Sequence, residues 1–306
     1  MFNIVIVIGS ARSRFSTPLE NRELEMANVK DYLFELRIQD AYKNLLILLP
    51  SFFGGKLFIT NYYPNLALGF LAFSLTSSAC YIINDIKDAP LDAYHPKKKL
   101  RPIASGKMSK PSTILFFTRL ASRVTNCIVF DRNQLFNPLF TAISELASIH
   151  FLLREIVWAD VASVSLNYVI RTLAGCEIVH VTISPWLLIG VFYVSMTLVL
   201  AKRREELATL AKPELHRKTL KNYNIRLIDK TILALSILTL VSYSFYTFCS
   251  PYSHGLLPFT IPLMTLIILR FIIVSKNTSE TRIIRKIITD KVMVVSLLVW
   301  FIIMFY

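Results

Sequence analysis

The chain is short of charge: only 18% of its 306 residues are Asp, Glu, Lys or Arg, and 54% are hydrophobic. A soluble protein of this length is about 25% charged. Glycine is also scarce, with eight residues, and short connections separate long apolar runs, which favours packed helices over a membrane barrel. These shortages indicate an all-α integral membrane protein. A large soluble helical domain with buried helices is the weaker alternative.

Cysteine is scarce too, and its pattern argues against a metal–thiolate centre. The four cysteines are scattered, without CxxC or Cys/His ligand spacing. Isolated thiols of this kind are typical of residues that fill a core. Neither a disulfide framework nor a zinc site is therefore predicted.

Apolar runs near or above the roughly 20 residues that cross a bilayer predict about nine transmembrane helices. They lie at 44–60, 64–83, 112–130, 135–152, 157–175, 185–201, 231–249, 256–274 and 291–306. Residues 36–306 form one membrane domain in this interpretation. Residues 1–35 are an N-terminal cytoplasmic extension to which no role is assigned.

Acidic residues are outnumbered, and the cations fall on one side of the membrane. Lys and Arg total 34 against 20 Asp and Glu, which gives a net charge of +14. The loops near 61–63, 176–184 and 250–255 contain no Lys or Arg. Because basic loops stay in the cytoplasm, we expect a cytoplasmic N-terminus and a cytoplasm-facing cavity. The membrane accounts for the positive charge, so no nucleic-acid partner is predicted.

Carboxylates are concentrated in one place, directly after the second apolar run. Asn84, Asp85, Asp88 and Asp92 follow it at helical offsets that align side chains on one face. Like charges there repel each other, so a divalent cation is the natural partner. Mg²⁺ prefers oxygen ligands and typically binds one or two carboxylates together with phosphate oxygens.

A basic segment completes this stretch. The side chains that follow the aspartates are His95, Lys97, Lys98, Lys99 and Arg101. Carboxylates on one side and cations on the other predict a Mg²⁺–diphosphate site, with a solvated charged loop as the alternative. Pro90 predicts a helix end near Asp88, because proline disrupts a helix interior. Asp92 is then expected to approach the metal from a loop.

The order of these residues resembles a known family. NDIKDAPLDAYHPKKKLRPIASG (84–106) is similar to the NDxxDxxxD motif of the UbiA superfamily of intramembrane prenyltransferases. Its continuation resembles the HPxKxxRPIAxG segment of the decaprenyl-phosphate phosphoribosyltransferase branch. Further resemblances to that branch are RIQDAYKNLLILLPSFFGGKL, ADVASVSLNYVIRTLAG, AKRREEL, LKNYNIRLID and the last two spans. Together they cover about residues 36–306 and imply a UbiA-like helical bundle.

A further absence distinguishes between branches of the superfamily. Its aromatic prenyltransferases carry a second aspartate motif, DxxxD, after the sixth span. Here Asp is absent from residues 161–228, and Lys202, Arg203 and Arg204 occupy that place. Cations favour a bare phosphate over a second metal, which supports phosphoribosyl transfer over prenylation. An ordinary basic helix end is the alternative interpretation.

The resemblance implies a donor, an acceptor and a cofactor: phosphoribosyl diphosphate, a membrane polyprenyl phosphate and Mg²⁺. The catalytic metal ligands would be Asp85, Asp88 and Asp92. The implied substrate-binding residues are Asn84, His95, Lys98, Arg101, Lys43, Asn44, Asp160, Tyr168, Arg171, Lys202, Arg203 and Glu206.

Several of these assignments have alternatives. Asp160 could instead pair with Arg154 or Arg171, and Lys43 and Asn44 could be anchors at the membrane interface. The sequence leaves open which phosphate group Arg171 would hold. Two other functions are also compatible with the sequence: a UbiA-type prenyltransferase that alkylates an aromatic acceptor, and a non-catalytic carrier of lipid phosphates.

Overall fold

Every regular element in the described part of the chain is helical. The computed structural model describes residues 31, 37–92, 98–108, 156–182, 184–209, 218–252, 255–276 and 283–304. Within these ranges there is no strand, so the all-α prediction is confirmed. The third and fourth predicted spans, and nearly all of the predicted N-terminal extension, lie outside the described residues.

The described chain begins with an 11-residue 3-10 helix, Ile38–Leu48, called the leading helix below, which runs into α1 (Leu49–Phe53). The next helix is α2 (Tyr63–Asp92). The later α-helices are α3 (Val157–Val179), α4 (Pro185–Thr209), α5 (Ile225–Cys249), α6 (Ile261–Lys276), α7 (Ile283–Thr289) and α8 (Lys291–Ile303). The short 3-10 helices are Thr60–Tyr62, Lys98–Leu100, Lys218–Asn222 and Leu257–Thr260.

Four helical segments are long and apolar enough to cross a membrane. They are Thr60–Pro90, Pro185–Thr209, Ile225–Cys249 and Leu257–Lys276. These segments correspond to the second, sixth, seventh and eighth predicted spans. Many of their large apolar side chains point outwards, such as Phe248 with an exposed fraction of 66%. Such exposure is unfavourable in water and favourable in lipid, which indicates an integral membrane protein.

α3 differs from these segments because protein surrounds it on more than one side. About half of its 23 residues are buried. Ile178 of α3 belongs to one apolar cluster with Ile47 of the leading helix, and Val161 belongs to another with Leu200 of α4. Polar and ionisable side chains are tolerated on a membrane helix that faces the interior of a bundle. The predicted fifth span is therefore a helix, although it is less apolar than its neighbours.

The first predicted span, 44–60, has the wrong boundaries. The helical segment begins at Ile38 and ends at Phe53. It ends there because Gly54 and Gly55 follow, and Gly55 adopts a φ of +65°, in the left-handed region that favours glycine. The helical segment therefore lies closer to the N-terminus of the chain than the predicted span does.

Gly175 allows the leading helix to lie directly against α3. A Cβ atom at this position would lie 2.2 Å from the carbonyl oxygen of Ile47 and 3.0 Å from Cδ of Pro50. Side-chain atoms do not approach a backbone that closely. Gly175 therefore fixes the leading helix, with its Lys43 and Asn44, in position against α3.

Gly175→Ala is expected to destabilise the protein by about 1–3 kcal/mol, because the added methyl group must push the leading helix away from α3. Gly190→Ala is the matched control, since its Cβ would meet only Oγ of Ser242, at 3.4 Å. Thermal unfolding in detergent should show a lower Tm for Gly175→Ala alone. Equal Tm values for the two variants would show that the close approach is not required.

Asp290 connects the second half of α6 to the start of α8. Arg270 donates from Nη2 to Oδ2 of Asp290 at 2.7 Å, and Oδ1 of Asp290 accepts from the backbone N–H of Met293 at 2.9 Å, which caps α8. The hydrogen bonds from Arg270 and Met293 hold the pKa of Asp290 below its usual range. The cap is therefore charged at neutral pH and weakens only as the pH falls through that lowered pKa.

Candidate functional site

Two carboxylates at the end of α2 share one guanidinium group. Asp85 and Asp92 lie two helical turns apart on the same face of α2, and their exposed fractions are only 4% and 3%. Arg101 donates from Nη1 to Oδ1 of Asp85 at 2.8 Å and to Oδ2 of Asp92 at 2.7 Å. The carboxylate pair therefore faces one common point, and the cationic group of Arg101 lies there.

Arg37 is a second counter-ion of Asp85, and it is absent from the predicted site residues. Its Nη2 donates to Oδ1 and Oδ2 of Asp85 at 2.7 and 2.5 Å, and its guanidinium carbon lies 4.7 Å from the ring centroid of Tyr81. Its φ of +47° is a conformation that costs a non-glycine residue about 1–2 kcal/mol. The sequence contains a signal for it, because Arg37 opens the RIQDAYKN stretch that supplies Lys43 and Asn44.

α2 continues through Pro90 to Asp92, so the predicted helix end near Asp88 is wrong. Proline has no N–H to donate to the carbonyl oxygen one turn back. Pro90 lies in the last turn of α2, where few helical hydrogen bonds are affected. The salt bridge from Asp92 to Arg101 holds this turn in place. Asp92 therefore reaches the site from the helix itself.

The carboxylate pair fits a magnesium-bound diphosphate better than it fits a bare metal ion. The described residues contain no group of three or more His, Cys, Asp or Glu side chains that could hold a metal ion. Asp88, which is half-buried, is thus not grouped with Asp85 and Asp92. Mg²⁺ often takes only one or two protein carboxylates and completes its shell with water and substrate phosphates. Two carboxylates that face one point satisfy the protein's share of that shell.

A second polar cluster surrounds Arg171 in the middle of α3; Arg171, Asn44 and Ser77 are called the inner site below. Arg171 donates from Nε to Oδ1 of Asn44 at 2.7 Å and from Nη2 to Oγ of Ser77 at 3.1 Å. Its Nη1 donates to the carbonyl oxygen of Asn167 at 2.8 Å. Asn44 donates from Nδ2 to Oγ of Ser74 at 3.0 Å. The leading helix, α2 and α3 meet at this guanidinium group.

Aromatic rings and a lysine connect the inner site with the carboxylate pair. Nζ of Lys43 lies 5.9 Å from the ring centroid of Tyr81, the ring that Arg37 also contacts. The guanidinium carbon of Arg171 lies 5.6 Å from the ring centroid of Tyr168. The structure thus brings the predicted residues Lys43, Tyr168 and Arg171 close to one another, with Asn44 bonded to Arg171.

Asp160 pairs with Arg203 at the end of α4, and not with Arg171. Arg203 donates from Nη2 to Oδ2 of Asp160 at 3.2 Å and from Nη1 to Oε2 of Glu206 at 3.1 Å. Arg171 is eleven residues further along the same helix, about 16 Å away along its axis, and Arg154 lies outside the described residues. The side chains of Asp160 and Arg203 have exposed fractions of 0% and 7%, so this is a buried ion pair.

Arg204 has a structural role that its position beside Arg203 does not reveal. Its Nε donates to Oδ1 of Asp229 in α5 at 2.5 Å, and its Nη1 donates to the carbonyl oxygens of Ser275 and Lys276 at the end of α6. One cation of the basic segment after the sixth span, Arg204, therefore has a structural role: it links α4 to α5 and α6.

The other predicted residues lie at the edge of these clusters or outside the description. Lys202 is exposed and Asn84 is half-buried. The side chains of His95 and Lys98 lie outside the described residues.

The carboxylate pair and the Asp160–Arg203 ion pair lie at the same end of the bundle. Gly69 of α2 lies against Ile178 of α3, and Ser77 of α2 contacts Arg171 of α3, so the two helices are antiparallel. Extending that pairing by three turns brings the end of α2, with its aspartates, to the level of the start of α3. The basic segments of the described chain therefore meet at one end, called the basic end below.

Known proteins resemble the chain in sequence and in fold. The model of the UbiA prenyltransferase family matches residues 47–286. Decaprenyl-phosphate phosphoribosyltransferase of Mycobacterium tuberculosis is 26% identical over 243 residues, which cover 75% of this chain and 80% of that protein. An uncharacterised protein of Sinorhizobium fredii, y4nM, is 33% identical over 180 residues. That match covers 58% of this chain, which spans only 34% of the length of y4nM.

A solved structure shares the architecture. A UbiA homologue from Archaeoglobus fulgidus, determined with GPP and Mg²⁺ bound, superposes with a TM-score of 0.66 over 90% of this chain and 98% of the other. The two sequences are 16% identical, so the likeness shows a common fold. The prediction of a UbiA-like helical fold is confirmed.

Proposed function

The chain belongs to the UbiA prenyltransferase family and is a membrane transferase, and on that basis we propose the reaction that it catalyses. In this proposal it transfers 5-phosphoribosyl from phosphoribosyl diphosphate to a polyprenyl phosphate and releases pyrophosphate. Residues 36–306 are the transferase domain, with nine spans, and the basic end faces the cytoplasm. Residues 1–35 are an extension on the same side.

The distribution of charge at the basic end carries the proposal. Asp85 and Asp92 face one point and can receive a metal-bound diphosphate. Near the end of α4, Asp160 and Glu206 pair with Arg203, Asp229 pairs with Arg204, and Asp is absent from residues 161–228. Among the described residues, the second carboxylate motif of the aromatic prenyltransferases therefore has no counterpart. One diphosphate and one additional phosphate suit this site better than two metal-bound centres.

The similarity to decaprenyl-phosphate phosphoribosyltransferase supports the same branch. It extends over 75% of this chain and 80% of the mycobacterial protein, so it includes most of the membrane domain. The motif that follows the aspartates, HPKKKLRPIASG, is present in this chain without interruption.

The residues at the carboxylate pair have distinct roles in the proposed reaction. Asp85 and Asp92 would hold Mg²⁺, with Asp88 as a further ligand. When bound, Mg²⁺ would supply positive charge that stabilises the departing pyrophosphate. Arg37 and Arg101 neutralise the carboxylates before the donor arrives and can then donate to its diphosphate oxygens, where charge develops.

The bond changes require little proton transfer. The C1–O bond to the diphosphate breaks and pyrophosphate leaves with the electron pair, while an oxygen of the acceptor phosphate forms the new bond to C1 with inversion. The acceptor is already anionic near neutral pH, so no strong general base is needed. The protein contributes mainly position and electrostatic stabilisation in a site that excludes bulk water.

One observation favours a second candidate, prenyl transfer to an aromatic or other acceptor. The A. fulgidus homologue of the same fold was determined with a prenyl diphosphate, GPP, and Mg²⁺. A prenyl diphosphate and phosphoribosyl diphosphate share the diphosphate group, so the carboxylate pair alone does not distinguish them.

The two candidates are separated by a transfer assay on the purified protein in detergent. One reaction contains phosphoribosyl diphosphate and a polyprenyl phosphate, and the other contains geranyl diphosphate and 4-hydroxybenzoate, both with Mg²⁺. We expect product only in the first reaction. Product only in the second would assign the protein to the prenyl-transferring branch.

Binding of the divalent cation and of the diphosphate should be mutually dependent, because Arg101 lies at the point that both carboxylates face. Calorimetry with Mg²⁺ alone is expected to show weak binding that pyrophosphate strengthens by about 10–100-fold, as expected when charged hydrogen bonds are exchanged. Arg101→Gln should strengthen binding of Mg²⁺ alone and weaken binding of pyrophosphate. Tight binding of Mg²⁺ alone to the wild type would contradict this account of Arg101.

A further inference from the structure

The outward face of α5 changes from charged to apolar after its first two turns. Arg226 and Lys230 are exposed, and Leu233, Ile237 and Val241 are each about half exposed. At 100° per residue, all five lie within an arc of about 80° around the helix. The two cations therefore lie at the end of an apolar stripe, called the lipid stripe below, that consists of Leu233, Ile237 and Val241.

The opposite face of α5 packs against the bundle, which fixes the direction of the lipid stripe. The side chains that pack in the apolar cluster shared with α4 and α6 are Ile228, Ile232 and Leu235. Asp229, which lies between the two cations in sequence, forms a salt bridge with Arg204 of α4. Arg226 and Lys230 are therefore directed away from the bundle, on the same side as the lipid stripe.

An exposed tryptophan marks the level of the bilayer at which α5 begins. Oη of Tyr223 donates to the carbonyl oxygen of Val157 at 2.7 Å, so the starts of α3 and α5 lie side by side. The ring of Trp158, which is 40% exposed, contacts the ring of Tyr223 edge-to-face at a centroid distance of 6.0 Å. Tryptophan is enriched where membrane helices meet the lipid head groups. The first turns of α5 are therefore at head-group level.

A phospholipid matches the chemistry of this face better than a soluble anion does. A guanidinium group binds phosphate through paired N–H groups, and an ammonium group attracts it as a point charge. The aliphatic stems of Arg226 and Lys230 can lie along apolar surface while their charges reach the head groups. A soluble anion would contact the cations alone, whereas the acyl chain of a lipid would also cover the lipid stripe.

We propose that Arg226 and Lys230, beside Trp158, bind the phosphate of an anionic phospholipid whose acyl chain lies along the lipid stripe. A zwitterionic phospholipid carries the same phosphate together with a cationic group, which the two side chains repel. Attraction to anionic lipid strengthens binding about fivefold for each Lys or Arg near the surface. Neither cation belongs to the carboxylate pair or to the inner site, so the inference does not depend on the proposed function.

The double variant Arg226→Gln/Lys230→Gln tests the site. The full chain in detergent is titrated with phosphatidylglycerol, and the bound lipid is measured by native mass spectrometry. The dissociation constant should rise about 25-fold, fivefold for each charge, while binding of phosphatidylcholine stays unchanged. Lys230→Gln alone, expected to raise it about fivefold, decides if the double variant does not fold.

Lys276→Gln/Lys291→Gln is the matched control. It also removes two exposed cations at the basic end, from the last residue of α6 and the first residue of α8, and it should keep the wild-type affinity for phosphatidylglycerol. Equal losses in the two double variants would overturn the inference, because the attraction would then come from the net charge of the basic end. A wild type that binds phosphatidylcholine as tightly as phosphatidylglycerol would also overturn it.

Thermal unfolding provides an independent measurement of the same site. In phosphatidylcholine nanodiscs, the Tm of Arg226→Gln/Lys230→Gln should equal that of the wild type, because both positions are exposed. Phosphatidylglycerol should raise the Tm of the wild type and of the control by more than that of this variant, since a ligand that binds the native state stabilises it. The same rise in all three proteins would contradict the assignment.

Polyprenyl phosphate is a third probe, because the acceptor of the proposed reaction is also an anionic lipid. We expect Arg226→Gln/Lys230→Gln to bind it as the wild type does. A double variant that loses affinity for polyprenyl phosphate and keeps it for phosphatidylglycerol would assign the two cations to the acceptor and overturn the inference.

Discussion

Asp85→Asn is expected to lower phosphoribosyl transfer about 10²–10³-fold, comparable to the loss of one preorganised group that stabilises developing charge. Asp85 accepts hydrogen bonds from both Arg37 and Arg101, and in the proposed reaction it contributes one of the two buried charges that receive the metal-bound diphosphate. Asparagine keeps the shape and removes the charge. Initial rates at saturating Mg²⁺, with Tm measured in parallel, give the effect on activity separately from the effect on folding.

The Asp85→Asn protein should still fold, and a control variant tests whether the loss of activity is specific to Asp85. The side chains of Arg37 and Arg101 are 22% and 25% exposed, so water can replace part of what Asp85 provides. Asp229→Asn removes an aspartate that pairs with Arg204 elsewhere at the basic end and should leave the rate near that of the wild type. Near-wild-type activity of Asp85→Asn would refute the assigned role of the carboxylate pair.

Asp160→Ala is expected to destabilise the protein by about 3–5 kcal/mol, the usual consequence of removing one partner of a buried ion pair. Asp160 is fully buried and the side chain of Arg203 is 7% exposed. Among the described residues, Nε of Arg203 already lacks a hydrogen-bond partner, and after the loss of Asp160 the acidic partner that this buried cation keeps there is Glu206. The free energy of unfolding in detergent, measured with denaturant, checks this value.

The double variant Asp160→Leu/Arg203→Met separates stability from catalysis. Replacing both charges with apolar groups of similar size should recover most of the lost stability, since neither charge is then buried alone. If Arg203 also contacts a substrate phosphate, the recovered protein will fold and remain impaired in transfer. Wild-type stability in Asp160→Ala would show that this ion pair contributes little to the fold.

The sequence predicts the fold well where the bilayer dictates the pattern. The apolar segments Pro185–Thr209 and Ile225–Cys249 stand out because lipid-facing helices must be apolar along most of their length. The first span is mispredicted because Gly55 ends the helical segment early, a local event that hydropathy does not detect. The helix end near Asp88 is also mispredicted for a local reason. Proline destabilises a helix less when few helical hydrogen bonds follow it, and α2 ends two residues after Pro90.

The sequence predicts the identity of the candidate site residues better than their partners. The spacing of Asp85 and Asp92 implies a shared face, and the structure places both at one guanidinium group. Arg37 is missed because its contact with Asp85 crosses 48 residues, and spacing along the chain carries no information about such a pair. The partner of Asp160 is missed for the same reason, since Arg203 is 43 residues away.

The most direct test of the central claim follows both halves of the donor. Phosphoribosyl diphosphate, labelled with carbon in the ribose and with phosphorus in the diphosphate, is incubated with the purified protein, Mg²⁺ and a polyprenyl phosphate. The account predicts that the carbon label enters the lipid fraction while an equal amount of the phosphorus label is released as pyrophosphate. A lipid fraction without the carbon label, or one that gains both labels together, would contradict it.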